Sequence, residues 1–194
     1  MKLELSVPQQ SDQRIKLRVA TADDAPAIAA LHTLSWQRAY RGILSDRYLD
    51  HEAAADRARL WARRLDAPAQ NQHTIVALDD NSMIGFACAY GDEEKPWGTM
   101  LDNLHVHADW RGHGVGRQLM IAAATWSREQ YPTLGFYLWV FEQNAPARRF
   151  YETLGATNSE SVTADVPGGG RAVECRYTWA RPDALIAQAS MTDA

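Results

Sequence analysis

These 194 residues contain no run of basic residues, no cysteine framework and no apolar stretch of bilayer length. Lys and Arg number 20 against 24 Asp and Glu, a net charge of −4, so charge points away from a nucleic-acid partner and somewhat toward a cationic or amine-bearing substrate. The two cysteines, Cys88 and Cys175, sit in apolar alternating runs. They read as buried thiols and not as a disulfide or zinc set. With no bilayer-length run and no secretory leader pattern, the expectation is a soluble cytoplasmic protein without a membrane partner. Hydrophobic residues make up 46% of the chain, enough for one well-formed core. No internal repeat or linker divides it.

Residues 1–14 are read as an N-terminal arm, 15–180 as the domain and 181–194 as an Ala-rich, frayed tail. Ile15 to Ala20 reads as a short strand, and Thr21-Ala-Asp-Asp24 as a capping-box start for a helix reaching about Tyr40. Gly42 breaks that helix. Ser45-Asp46 opens a second helical region, bent near Asp50 and closed before Pro68. Thr74–Leu78 and Met83–Tyr90 form a hairpin, and Asp92–Gly98 is expected to be a polar loop before a strand over Thr99–His107. A helix follows from about Val115 to Gln130. Phe136–Phe141 is a continuous apolar strand of the kind buried on both faces. Asn144 caps another helix with Pro146 in its first turn and Gly155 at its end. Val162–Val166 and Ala172–Trp179 make a last hairpin.

The stretch that organises the chain is Leu101–Gly116, LDNLHVHADWRGHGVG. Gly112, Gly114 and Gly116 follow Arg111 at every second position, between a strand and a helix. Glycine permits positive φ and close approach of a ligand to the backbone, and a helix start offers free N–H groups and a positive dipole end. Both point to a phosphate-bearing ligand. Two common phosphate motifs fail. A dinucleotide fingerprint needs glycine three residues after Gly114, and a P-loop needs glycine five after Gly112; Arg117 stands at both places.

What remains, R-G-x-G-x-G after a strand carrying Leu104 and Val106, strongly resembles the acyl-CoA-binding motif of the GNAT superfamily of N-acetyltransferases. Asn144-x-x-Ala-x-x-Phe150-Tyr151-x-x-Leu-Gly155 resembles the family's second signature. The element order agrees over residues 15 to 180. The resemblance implies a single α/β domain with a mixed, mostly antiparallel sheet, a splayed strand pair and about four flanking helices. It implies acetyl-CoA as cosubstrate with no metal. The backbone of Leu104 and Val106 would pair with the pantetheine arm. Arg111, Gly112, His113, Gly114, Val115, Gly116 and Arg117 would hold the pyrophosphate, and Asn144 would contact the pantetheine. Tyr151 would serve as general acid toward the departing sulfur. A homodimer is compatible with it.

The chemistry asks for two proton events. Keeping a lysine-like amine neutral at pH 7 costs about 4 to 5 kcal/mol, so a base or water chain is needed. A tyrosine, protonated at neutral pH, suits the donor role; as a bare sequence feature Tyr151 is equally a core aromatic beside Phe150. No acid lies within Phe136–Phe141, so the base stays open between Asp102, placed on the Leu104 and Val106 face by alternation, and His105 on the other. His105-x-His107 lacks a third metal ligand in view. Trp36, Tyr40, Arg41 and Tyr48 cluster where the acceptor side would be built. The resulting expectation is direct acetyl transfer to a primary amine of a small molecule. A peptide acetyltransferase and a non-catalytic acyl-CoA sensor are the alternatives; an open groove between the first helices and the last hairpin would favour peptides.

Overall fold

The computed structural model describes residues 15–191; the expected N-terminal arm lies outside them. Seven strands form one sheet in the order β1-β2-β3-β4-β5-β7-β6. They are β1 (Lys16–Val19), β2 (Gln72–Asp79), β3 (Ser82–Glu94), β4 (Gly98–Val106), β5 (Phe136–Phe141), β6 (Thr157–Asp165) and β7 (Arg171–Trp179). Every neighbouring pair is antiparallel except β4 and β5, which run parallel. One face carries α1 (Ala25–Ala39), α2 (Asp46–His51) and α3 (Ala53–Asp66), and the other carries α4 (Val115–Gln130), α5 (Ala145–Thr153) and α6 (Pro182–Met191). The expected α/β class and mixed sheet are present, with six helices where about four were expected.

Local chemistry explains the element boundaries. Asp24 accepts from the Thr21 amide at 2.7 Å and receives both arms of the Arg18 guanidinium at 2.6 and 2.8 Å. That fork ties β1 to the start of α1 and holds the Asp24 carboxyl down at about 2. Ser45 caps α2 through the Tyr48 amide. The hydrophobic period that puts Val115, Leu119 and Ala123 on one stripe buries all three against the sheet. In β5, Phe136, Leu138 and Val140 join the core under α4, α5 and α6. Tyr137, Trp139 and Phe141 face the other way, so alternation makes the whole apolar run useful.

Three expectations change. The Asp92–Gly98 segment is not all loop, because β3 continues to Glu94, which pairs with Gly98. β6 starts at Thr157, soon after the Gly155 stop, five residues earlier than its apolar end suggests. Residues 182–191 are not frayed. They form α6, whose Leu185 and Ala189 are fully buried in the core shared with α4. A lost Leu185 side chain leaves a cavity that a surface helix cannot collapse around. Leu185→Ala is expected to cost about 2–4 kcal/mol, read as a lower urea midpoint at unchanged slope.

Candidate active site

β4 and β5 pair over only three positions, Thr99 with Phe136, Met100 with Tyr137 and Leu101 with Leu138. Their start is set by backbone against backbone: a Cβ on Gly98 would come within 2.5 Å of the Gly135 carbonyl oxygen. Beyond Leu101 the strands part. β4 keeps its pairing with β3 on the far side, Leu104 to Ala87, His105 to Phe86 and Val106 to Gly85. The His107 amide donates to the Ile84 carbonyl at 2.8 Å. Backbone groups alternate along a strand, so those of Leu104 and Val106 turn toward the gap. The Leu104 and Val106 side chains pack on the α4-side core, which separates a structural side chain from an available backbone at both positions.

The parting coincides with a β-bulge. Cys88 pairs with Asn103 and Ala89 with Leu101, leaving Asp102 as the extra residue. This overturns the alternation that put Asp102 on the Leu104 and Val106 face. Asp102 accepts from Arg64 of α3 at 2.5 Å, and Asn103 accepts from the same nitrogen at 3.2 Å. Asp102 is therefore engaged in an ion pair on the helical α1–α3 side. His105 lies on that side too, its ring 4.5 Å from His32 and 5.2 Å from Phe86. Burial, with the Arg111 and Arg57 charges, pushes its imidazole down to about 3. Neither group offers a ready base. Among the described residues no three His, Cys, Asp or Glu gather as a metal set.

At the end of β4, His107 caps a short turn of 3-10 helix over Ala108–Trp110. The chain then passes Arg111 and enters α4 through Gly112 and Gly114, at φ of 83° and 77°. A Cβ at either glycine would meet nothing within 4 Å. Their side of the turn is open, and no described backbone carbonyl accepts from the amides of Gly114, Val115 or Gly116. His113 folds back on the Arg111 carbonyl at 3.2 Å. Arg117 follows in the first turn of α4. A Cβ on Gly116 would lie 3.5 Å from Phe150 and 3.7 Å from Val106, so β4, the turn and α5 meet beneath it. Sequence reasoning passed over Arg38 of α1, which flanks the same shallow depression as Arg111, Val106 and His107. An exposed arginine on a helix carries no sequence signal of that proximity. An open turn with free amides, a helix N-terminus and two arginines fits a diphosphate-bearing ligand.

Asn144 is the N-cap of α5, its side-chain oxygen accepting from the Ala147 amide at 3.4 Å. Two helical turns on, Tyr151 is 9% exposed, its ring edge-on to Phe150 at 5.4 Å and tilted to Tyr177 at 6.2 Å. No described residue hydrogen-bonds its hydroxyl. Burial and the neighbouring Tyr40 raise its pKa well above the usual phenol range, so it holds its proton. Tyr40 closes α1 against Phe141, ring centroids 4.9 Å apart and perpendicular. Its hydroxyl is raised to about 12 by burial and by Glu174. Glu174 of β7 was missed in the sequence; its alternation with Arg176 was visible, but its neighbours were not. Cys88 and Cys175 are both buried free thiols, as expected.

A parted parallel strand pair with an open glycine turn at its mouth suits an extended, diphosphate-bearing cosubstrate, as an acetyltransferase requires. The chain belongs to the Acetyltransferase (GNAT) family, whose pattern matches residues 28–156. It is an acetyl-CoA-dependent N-acetyltransferase. It is 28% identical over 141 residues to a probable N-acetyltransferase of Mycobacterium tuberculosis, covering 71% of this chain and 77% of that protein. It is 27% identical over 81 residues to a probable spermine N(1)-acetyltransferase of Bacillus subtilis subsp. natto, covering 39% of this chain and 53% of the other. Among solved structures, the PaiA N-acetyltransferase of Thermoplasma acidophilum in complex with coenzyme A superposes with a TM-score of 0.68. That likeness has 18% identity and covers 86% of this chain and 99% of the other. Among the described residues no helix is long and apolar enough to cross a membrane.

His105 is expected to stay neutral across the working pH range. Nitrogen chemical shifts of its ring, followed from about pH 8 to about pH 5, should show no protonation step. An inflection near the ordinary imidazole range would return His105 to the list of bases.

Proposed function

We propose that this enzyme moves the acetyl group of acetyl-CoA directly to a primary amine of a small molecule. Acetyl-CoA supplies an activated acyl group and a thiolate leaving group. The chain's own residues bind, orient and move protons around it. Amides from Arg111 to Arg117, with Gly112, His113, Gly114, Val115 and Gly116 between, hold the diphosphate. The gap-facing backbone of Leu104 and Val106 pairs with the amide-like pantetheine arm, and the Asn144 side chain flanks it. Tyr151 donates its phenolic proton toward the sulfur.

One observation carries the choice of a small acceptor. The β6–β7 turn is docked on the α1–α2 connection and does not stand away from it. Val166 shares a buried cluster with Leu44 and Tyr48, and the Ser45 hydroxyl donates to the Gly168 carbonyl at 3.4 Å. A Cβ on Gly168 would come within 2.3 Å of the Tyr48 side chain. That contact supports a small acceptor over an extended peptide laid between the first helices and the last hairpin. The likeness to a probable spermine N(1)-acetyltransferase over 81 residues supports the same class of acceptor.

A thiol-release screen with acetyl-CoA against alkylamines, polyamines, amino acids and peptides tests the reading. Turnover confined to peptides would overturn it. Tyr151→Phe is expected to lower kcat by about 10² to 10⁴-fold with acetyl-CoA affinity unchanged by calorimetry; an undiminished kcat removes Tyr151 from the chemistry. Gly114→Trp is expected to abolish acetyl-CoA binding, because the indole would fill the open side of the turn. Retained affinity in a variant with a wild-type circular dichroism spectrum would count against the placement.

A further inference from the structure

Several carboxylates withdrawn from water in this protein are partnered: Asp24 has Arg18, Asp56 has Tyr48 and Arg57, and Asp102 has Arg64. Glu174 is not. It is half-buried on β7, and no described residue gives it a hydrogen bond or an ion pair. The arginine two positions along the same face, Arg176, is already held by Glu94 at 2.8 Å and by Glu160 at 2.6 Å. A carboxylate withdrawn from water without a cation is costly, and burial accordingly raises its pKa. Such a site suits a cation from outside.

Its position says which cation. Glu174 pairs in register with Phe141, the last residue of β5, on the strand that has parted from β4. By alternation with Cys175, which is buried on the α4 side, Glu174 projects to the α1–α2 face. Tyr151 reaches the same region from α5, on the opposite face. Tyr40 lies between them: it feels the Glu174 charge, and Tyr151 feels Tyr40. The rings of Tyr40 and Phe141 stand at right angles beside the carboxylate, and aromatic faces favour an ammonium. Proton acceptor and proton donor thus flank one gap from its two sides.

We propose that Glu174 is the catalytic base, holding the acceptor's ammonium against the Tyr40 and Phe141 rings and taking its proton. This rests on the small-amine acetyltransferase reading above and names its substrate class, a cationic primary alkylamine. The ammonium gives one proton to the Glu174 carboxylate. The freed nitrogen lone pair forms the new C–N bond as the C–S bond breaks. The sulfur takes the Tyr151 proton, and the second proton lost by the nitrogen restores the phenol. The proton on Glu174 passes to solvent, so the net reaction yields the acetamide, the free thiol and one proton.

The test uses Glu174→Gln with the best alkylamine from the thiol-release screen. At about pH 7 its kcat/KM is expected to fall at least about 100-fold with acetyl-CoA affinity unchanged. The loss should shrink about tenfold per pH unit toward the acceptor's own pKa, as solution deprotonates the amine instead. Tyr40 is the titratable neighbour from α1, while Tyr151 stays neutral and the engaged Arg176 stays charged in this range. The thermal midpoint is expected to hold or rise, since an unpaired buried charge has gone. A pH profile parallel to the wild type, or a fall in kcat matched by a fall in thermal midpoint, overturns the assignment to Glu174 and leaves the acetyltransferase reading standing. A wild-type enzyme that binds acetyl-CoA yet acetylates no amine overturns both.

Discussion

Buried backbone groups must find partners, and β4 withholds them from its own neighbour. Past Leu101 the N–H and C=O groups of Leu104 and Val106 face a strand that has turned away. An unpaired buried amide costs as much as a lost hydrogen bond, so a sheet opened in its middle favours something extended and amide-bearing in the opening. The rest of the structure is arranged to keep it open at a fixed width. Gly98 and Gly135 hold the strands together at one end. The Asp102 bulge, clamped by Arg64, bends β4 away. Val106, Gly116 and Phe150 close the floor beneath the mouth.

Charge follows the same axis. The glycine turn, the α4 N-terminus, Arg111 and Arg38 concentrate positive potential at one end of the gap. Asp102 is neutralised by Arg64 and Glu94 by Arg176, while Glu174, paired with Phe141 on the other side of the parting, has no ion-pair partner among the described residues. Tyr40, Tyr151 and Phe141 gather near it and limit access of water. Water exclusion also explains why both tyrosines are displaced toward their protonated forms.

The parts of this arrangement that rest on local rules were legible in the sequence. Glycines needing positive φ, an Asn cap before Pro146, an apolar strand of period two and a Thr21–Asp24 capping box each leave a signature a few residues long. The parts that depend on a distant partner were not. A single bulged residue moved Asp102 to the other face of the sheet, and nothing in LDNLHV marks where an extra residue sits. α6 was hidden because Ala-rich, polar helices lack a sharp apolar stripe; Leu185 and Ala189 acquire their burial from α4. Arg38 and Glu174 look like ordinary surface charges until the fold brings one to the turn and strips the other of a counterion.

The docked hairpin supports the proposed small acceptor. Were the β6–β7 turn free, the exposed edge of β6 and the α1–α2 connection would form two walls of a trough. Gly168 instead rests on Tyr48 with no room for a Cβ, and Tyr48 is itself tied to Asp56 of α3 at 2.6 Å. The closure therefore runs through a buried hydroxyl to a helix that also carries Arg64, the residue clamping the β4 bulge. One helix, α3, thus holds both the hairpin contact, through Asp56, and the β4 bulge, through Arg64.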